Sequence, residues 1–207
     1  MTGLEQGMEM RGEQTDAGSG SGAHLQGVLD PHLVLEEMGV VPGAVVLDAG
    51  CGEGRFSIPA ASMVGEKGKV YAVDTSDERI ESLRRAARDR NLSQIEAFVA
   101  DATERIPLPA DSVDVCLMAN VFHDLVEDGA VKGNLSEVRR VLKPGGVLGI
   151  VDFKKNVQRP PGPPLSRRLD PDEVERVVSQ YGLHRERGTE VGPYHYLILF
   201  TMCDTAS

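Results

Sequence analysis

The stretch Ala44–Ser57, AVVLDAGCGEGRFS, constrains the fold of this chain more than any other. Ala44, Val45, Val46 and Leu47 make an apolar run of the length of a buried parallel strand, which breaks into glycines at Gly50, Gly52 and Gly54 before a helical pattern begins. The expected order is strand, tight loop, helix start. Glycine has no Cβ, so it takes positive φ and lets the backbone approach a ligand closely. The helix start adds unpaired N–H groups, which suit a carboxylate or phosphate. Asp48 stands at the end of the strand.

Spacing decides which ligand such a loop serves. A dinucleotide fingerprint laid on Gly50 and Gly52 needs its third glycine at position 55, where the chain has Arg55. A P-loop needs Lys-Ser or Lys-Thr after its glycines, and none follows. What stands is Asp48-x-Gly50-x-Gly52-x-Gly54.

Composition removes other classes of function. A length of 207 residues suits one domain with some chain left for a tail. The formal charge of −10 argues against a broad grip on nucleic acid, which draws on a basic face. No apolar run approaches the roughly 20 residues that cross a bilayer, and the N-terminus lacks the basic-then-apolar order of a signal peptide. A soluble cytoplasmic protein without membrane or nucleic-acid partners is expected. Cys51, Cys116 and Cys203 are odd in number and far apart, with no C-x-x-C, so neither a disulfide framework, nor a zinc site, nor any other metal is expected.

Residues 1–27, rich in Gly, Glu, Gln and Ser, read as a disordered tail, with the domain at 28–207. His24 and His32 read as solvated. Asp30-Pro31 caps a short helix that Gly39 ends. Lys69–Asp74 is a second strand, and Asp74 follows Gly54 by 20 residues, near the offset at which an acid bonds ribose hydroxyls in doubly wound sites. Thr75 and Glu78 form a capping box for the next helix, whose buried stripe is Ile80, Leu83 and Ala87, leaving Asp74 free. Ile95–Ala100 is a third strand ending in Asp101-Ala102, and Val113–Ala119 a fourth, followed by Asn120-Val121-Phe122-His123-Asp124. A helix carrying Val131, Leu135, Val138 and Leu142 leads through Lys143-Pro144-Gly145-Gly146 into strand Val147–Phe153. Lys154–Leu169 is proline-rich and carries Lys154, Lys155, Arg159, Arg167 and Arg168. It reads either as a loop that closes over an anionic or electron-rich substrate or as a solvated loop. Asp170–Tyr181 is a helix with its own capping box, and Leu183–Val191 and Tyr194–Met202 form a hairpin on which His184 and His195 read as structural.

Asp48-x-Gly50-x-Gly52-x-Gly54 resembles motif I of the class I S-adenosylmethionine-dependent methyltransferases. The acids after the second and third strands, the run PLPADSVDVCLMANVFHDL and Leu-Lys-Pro-Gly-Gly resemble later motifs of the same family, in order. The resemblance covers about residues 30–202 and its wording is similar to the small-molecule, quinone-biosynthesis-like subgroup. It implies an α/β, Rossmann-like, seven-stranded, mostly parallel sheet with helices on both faces and a C-terminal antiparallel strand. It also implies S-adenosyl-L-methionine as cofactor. Gly50, Cys51, Gly52 and Gly54 would wrap the methionine portion, Asp48 and the Asn120 carbonyl would hold its ammonium, Asp74 beside Thr75 would grip the ribose, and Asp101 with the Ala102 N–H would take the adenine. Asn120-Val121-Phe122-His123 departs from the Pro-Pro-aromatic run of enzymes that methylate exocyclic amines of bases, so a small-molecule acceptor is implied. His123 is either a base near the transferred methyl or a residue that shapes the loop. The rival classes are a non-catalytic cofactor-binding protein and an NAD-dependent oxidoreductase, which lacks its third glycine. Arsenite methyltransferases also resemble this core, but they depend on cysteines that this chain does not place in the substrate region.

Overall fold

The computed structural model describes residues 29–157 and 162–202. The tail at 1–27 with His24, part of the proline-rich loop with Arg159, and Cys203 lie outside the described residues. A seven-stranded sheet runs in the order β3-β2-β1-β4-β5-β7-β6. Its strands are β1 (Val45–Ala49), β2 (Lys69–Asp74), β3 (Ile95–Val99), β4 (Val113–Ala119), β5 (Leu142–Phe153), β6 (Leu183–Glu190) and β7 (His195–Met202). All neighbours pair in parallel except β7, which runs antiparallel between β5 and β6.

The helices are α1 (Pro31–Glu37), α2 (Ser57–Val64), α3 (Asp77–Asp89), α4 (Phe122–Glu127), α5 (Val131–Val141) and α6 (Pro171–Val178). Near-continuous apolar strands are buried on both faces, as parallel sheets require. Leu47, Met118, Ile150, Ile198 and Phe200 pack with Leu135 and Val138 of α5 and Val174 and Val178 of α6. Val46, Val115, Leu117, Val151 and Leu197 pack with Val34 and Leu35 of α1 and Ala60 and Val64 of α2. Ile80 and Leu83 of α3 close over Ala72 and Ala97. The expected architecture, with helices on both faces, is the one observed.

The local expectations hold at α1, where the Asp30 carboxylate accepts from His32 N, and at α6, where Asp170 and Glu173 complete a capping box. They hold too at the glycine loop, which follows β1 and leads into α2 at Ser57, and they fail in two places. The cap of α3 is Ser76, whose hydroxyl accepts from Arg79 N, and not Thr75. Asp74 accepts from Ser76 N and so turns the chain one residue later. Lys143-Pro144-Gly145-Gly146 lies inside β5 as a bulge, because Val113 pairs with Leu142 and Val115 with Val147. Pro144 has no N–H for the ladder and Gly145 takes φ +74, so the extra residues are extruded without breaking the strand.

Gly133 of α5 tests how tightly this framework closes on the sheet edge. A Cβ there would stand 2.1 Å from the Thr103 carbonyl oxygen, so α5 and the turn after β3 touch through backbone. Alanine improves helix propensity by about 1 kcal/mol, but the overlap is with backbone that cannot rotate away. Gly133→Ala is expected to destabilise the fold by about 1–3 kcal/mol, read as a lower urea midpoint at unchanged slope.

Candidate active site at the carboxyl edge of the sheet

β1 lies between β2 and β4, so successive connections leave it in opposite directions and open a crevice at the strands' carboxyl ends. A cavity of about 510 Å³ sits there. Its walls are Ala49 and Gly50 after β1, Asp74 and Thr75 after β2, Asp101 to Thr103 after β3, and Asn120 and Val121 after β4. Asp124 of α4 and Asn134 of α5 complete them.

The glycine loop and Asp74 are built as one unit. Asp74 Oδ2 accepts from Gly52 N at 2.9 Å and Oδ1 from Ser76 N at 2.9 Å. Each carboxylate oxygen keeps a further lone pair, so the group is a rigid double acceptor suited to two adjacent hydroxyls. Asp74 is therefore not free, as the expected Thr75 cap would have left it, but anchored and aimed. Gly50 has φ +81, and a Cβ there would lie 2.5 Å from Val121 Cγ2. Gly54 has φ +88 and would place a Cβ 2.3 Å from Leu83 Cδ1. Only glycine fits either place.

Of the expected cofactor residues, Gly50, Asp74, Thr75, Asp101, Ala102 and Asn120 line the cavity. Asp48, Cys51, Gly52 and Gly54 are not among its lining residues and support the wall instead. Asp48 is buried and accepts from Ser57 Oγ at 2.6 Å. Burial pushes its carboxyl up to about 6, the Ser57 bond opposes this and the charge of Asp74 adds to it. Cys51 and Cys116 are buried thiols, both pushed up by desolvation. Asp101 holds the turn after β3 by accepting from Thr103 N. Asn120 has φ +58, uncommon for a residue with a side chain, and among the described residues its buried Oδ1 has no hydrogen-bond partner. The Oδ1 of Asn134, also in the cavity wall, is likewise without a partner.

His123 sits behind this wall on α4 and is buried. Its Nδ1 lies 2.9 Å from Asp152 Oδ1, and Asp152 Oδ2 accepts from the His123 backbone N–H at 3.1 Å. Asp152 is fully buried and also accepts from Phe153 N. An ionised carboxylate only accepts, so Nδ1 carries a proton. Nε2 lies 3.3 Å from Asp124 Oδ1, on the cavity side. Burial alone would lower the proton affinity of His123, but the hydrogen bond and charge of Asp152, with the charge of Asp124, outweigh it and the net shift is upward.

The basic loop spends its charge internally. Lys154 pairs with Glu190, Lys155 with Glu173, and Arg167 with Asp124 at 2.8 Å. Arg168 is buried over the Phe153 ring and donates to the Pro163 and Lys154 carbonyls. Among the described residues no helix is long and apolar enough to cross a membrane, and no group of three His, Cys, Asp or Glu is placed to hold a metal.

The cavity lining fits S-adenosylmethionine: Asp74 offers a fixed pair of carboxylate acceptors, and Asn120 and Asn134 offer buried oxygens without a partner among the described residues. Residues 46–146 match the family model described as a methyltransferase domain. The chain is 35% identical to a SAM-dependent methyltransferase from Aquifex aeolicus of solved structure, over 86% of this chain and 92% of that one, with a TM-score of 0.78. The chain belongs to the S-adenosylmethionine-dependent methyltransferases. It is also 32% identical to a ubiquinone/menaquinone biosynthesis C-methyltransferase from Shewanella sp. (strain ANA-3), over 58% of this chain and 47% of the relative. The chain thus spans about half the length of the curated relatives it matches. An arsenic(III) S-adenosylmethionine methyltransferase from Chlamydomonas reinhardtii is 25% identical, with a TM-score of 0.60 over 77% of this chain and 63% of that one.

Within this methyltransferase core, sequence reasoning missed Asp152, Ser57 and Asn134. Asp152 was open to the same rule that found the other acids, a carboxylate at the carboxyl end of a strand. Ser57 and Asn134 carry no local signal, since their partners are set by packing.

Asp48 offers a test of the site's cost. An acid whose folded value is raised is destabilising above that value, and the penalty fades as pH falls from about 6 toward 3.8, below which both states are protonated. Asp48→Asn keeps an acceptor for Ser57 without the charge. It is expected to stabilise the ligand-free fold by about 2–3 kcal/mol at pH 7, with the gain shrinking toward pH 4 in urea titrations, and to weaken cofactor binding.

Proposed function

We propose that this chain transfers the methyl group of S-adenosylmethionine to carbon of a small, planar, quinol-type acceptor. The observation that carries the reading is the Asp74 carboxylate, locked by Gly52 and Ser76 and facing the cavity at the reversal of strand order. Asp74 beside Thr75 takes the ribose, Asp101 and the Ala102 N–H the adenine, and Asp48 with the Asn120 carbonyl the ammonium. Gly50, Cys51, Gly52 and Gly54 wrap the methionine portion. The acceptor class rests on likeness to relatives named for ubiquinone and menaquinone biosynthesis. The buried thiols Cys51 and Cys116 weigh against arsenic chemistry, since neither is exposed as a thiolate.

S-adenosylmethionine supplies a methyl made electrophilic by its sulfonium. The chain's part is to hold the acceptor in line, exclude water and take a proton. With Asp152 fixing Nδ1–H, His123 Nε2 is the atom that receives the acceptor's hydroxyl proton after turning from Asp124. The bound cofactor would supply its methyl to the acceptor carbon and keep the bond's electron pair on sulfur, while His123 holds the hydroxyl proton and the ring proton would leave to solvent. The domain is assigned to residues 28–207 with a tail at 1–27, and the two unpaired buried thiols suit a reducing, cytoplasmic setting. The net charge of −10 weighs against nucleic acid as substrate.

Calorimetry with S-adenosylmethionine and with NAD tests the cofactor. Binding of the first alone, weakened about tenfold or more in Asp74→Ala, is expected, and equal binding by the variant would overturn the assignment. The acceptor side is read from pH profiles. Imidazolium cannot accept a proton, so kcat/KM is expected to rise with pH through a value above 6.5. In Asp152→Asn that limb moves to lower pH, and the rate falls about 10²-fold or more.

A further inference from the structure

His195 opens β7 and pairs with Phe153 at the carboxyl end of β5. It is 2% exposed, and among the described residues neither ring nitrogen has a hydrogen-bond partner. A neutral imidazole carries one donor and one acceptor, and burying both unmade is a cost that folds rarely retain without a use. The structural role expected on the hairpin leaves these two nitrogens unaccounted for.

Its surroundings say what would satisfy it. The Phe153 ring lies against His195 with centroids 4.3 Å apart, and His123 meets the same phenylalanine edge-on at 6.3 Å. Phe153 thus touches both the ring of His123 behind the cofactor cavity and that of His195 at the start of β7. The charges of Arg55, Arg168 and Lys154 act on His195 against the single opposing charge of Asp152, and with burial they hold the ring neutral. A buried N–H donor in a net positive field favours the ionised form of a bound hydroxyl. Gly162 and Arg168 pack on the same phenylalanine, Gly162 so tightly that a Cβ would stand 2.5 Å from the ring.

We propose that His195 is the binding residue for the acceptor's oxygen: its neutral ring donates an N–H to the anionic oxygen of a planar hydroxyarene or enol that lies along Phe153, with the reacting carbon toward the cofactor. The proposal rests on the methyl-transfer reading and adds the chemical class that the buried donor selects, an oxygen acid and not a neutral amine or a thiol.

The test uses the full chain loaded with S-adenosylhomocysteine and, as probe, 4-nitrophenol, whose absorbance separates phenol from phenolate. The wild type is expected to bind the probe as phenolate at a pH where the free probe is largely protonated. His195→Leu weakens that binding about tenfold or more. His195→Gln, which keeps a donor, restores it to within about threefold, and both variants keep the wild-type affinity for S-adenosylhomocysteine by calorimetry. Equal probe binding by His195→Leu, binding of the probe only as neutral phenol, or no binding to the loaded wild type, in which case a buried water alone serves the imidazole, overturns the proposal. Failure of the wild type to bind S-adenosylhomocysteine would be a separate result and would overturn the methyl-transfer reading beneath it. Should His195→Leu not fold, the nitrogen-15 shifts of His195 in the wild type decide. They must move on adding 4-nitrophenol and stay unmoved on adding nitrobenzene.

Discussion

A sheet whose connections part in opposite directions leaves its carboxyl edge uncovered at one place, between β1 and β4, and the rest of this molecule is arranged around that gap. Backbone N–H and C=O groups at strand ends must be satisfied, and here acids do it: Asp74 binds the glycine loop to β2, and Asp152 binds the start of α4 to β5. The two carboxylates stand on opposite flanks of the gap. One presents acceptors to the cofactor cavity and the other turns an imidazole, so the same device positions both halves of the site.

The site is held at a cost that the framework covers. Asp48 is ionisable and buried, Asn120 occupies a left-handed conformation, and His195 and Asn134 bury unmade hydrogen bonds. These features cluster at one end of the sheet. The other end is a dry apolar core with Leu142, Leu148 and Val113 fully enclosed. Local consistency is broken at several places where a ligand would complete it.

Much of the fold was written in short-range pattern. Apolar runs followed by an acid marked the parallel strands, and Asp170-Pro171 with Glu173 marked the start of α6 to the residue. The misread places were those where neighbouring groups compete. Thr75 and Ser76 are both good caps, and the choice fell to Ser76 because Asp74 holds its N–H. Pro144 with two glycines reads as a turn in any window, yet pairing with β4 keeps those residues in the strand as a bulge. The cofactor side of the site was readable because it follows chain order at strand ends. Around His123, which the motif order also singled out, the partners were not readable, because Asp152, Phe153 and His195 come from separate positions in the chain and meet only through packing.

Asp124 is shared by the cavity wall, the Nε2 of His123 and the guanidinium of Arg167. Arg167 lowers the proton affinity of His123 while Asp124 raises it. Arg167 is itself divided between Asp124 and Glu127, so the hold of the imidazole on its proton is set by a chain of three charges that passes through a neighbouring loop and ends in the cavity wall.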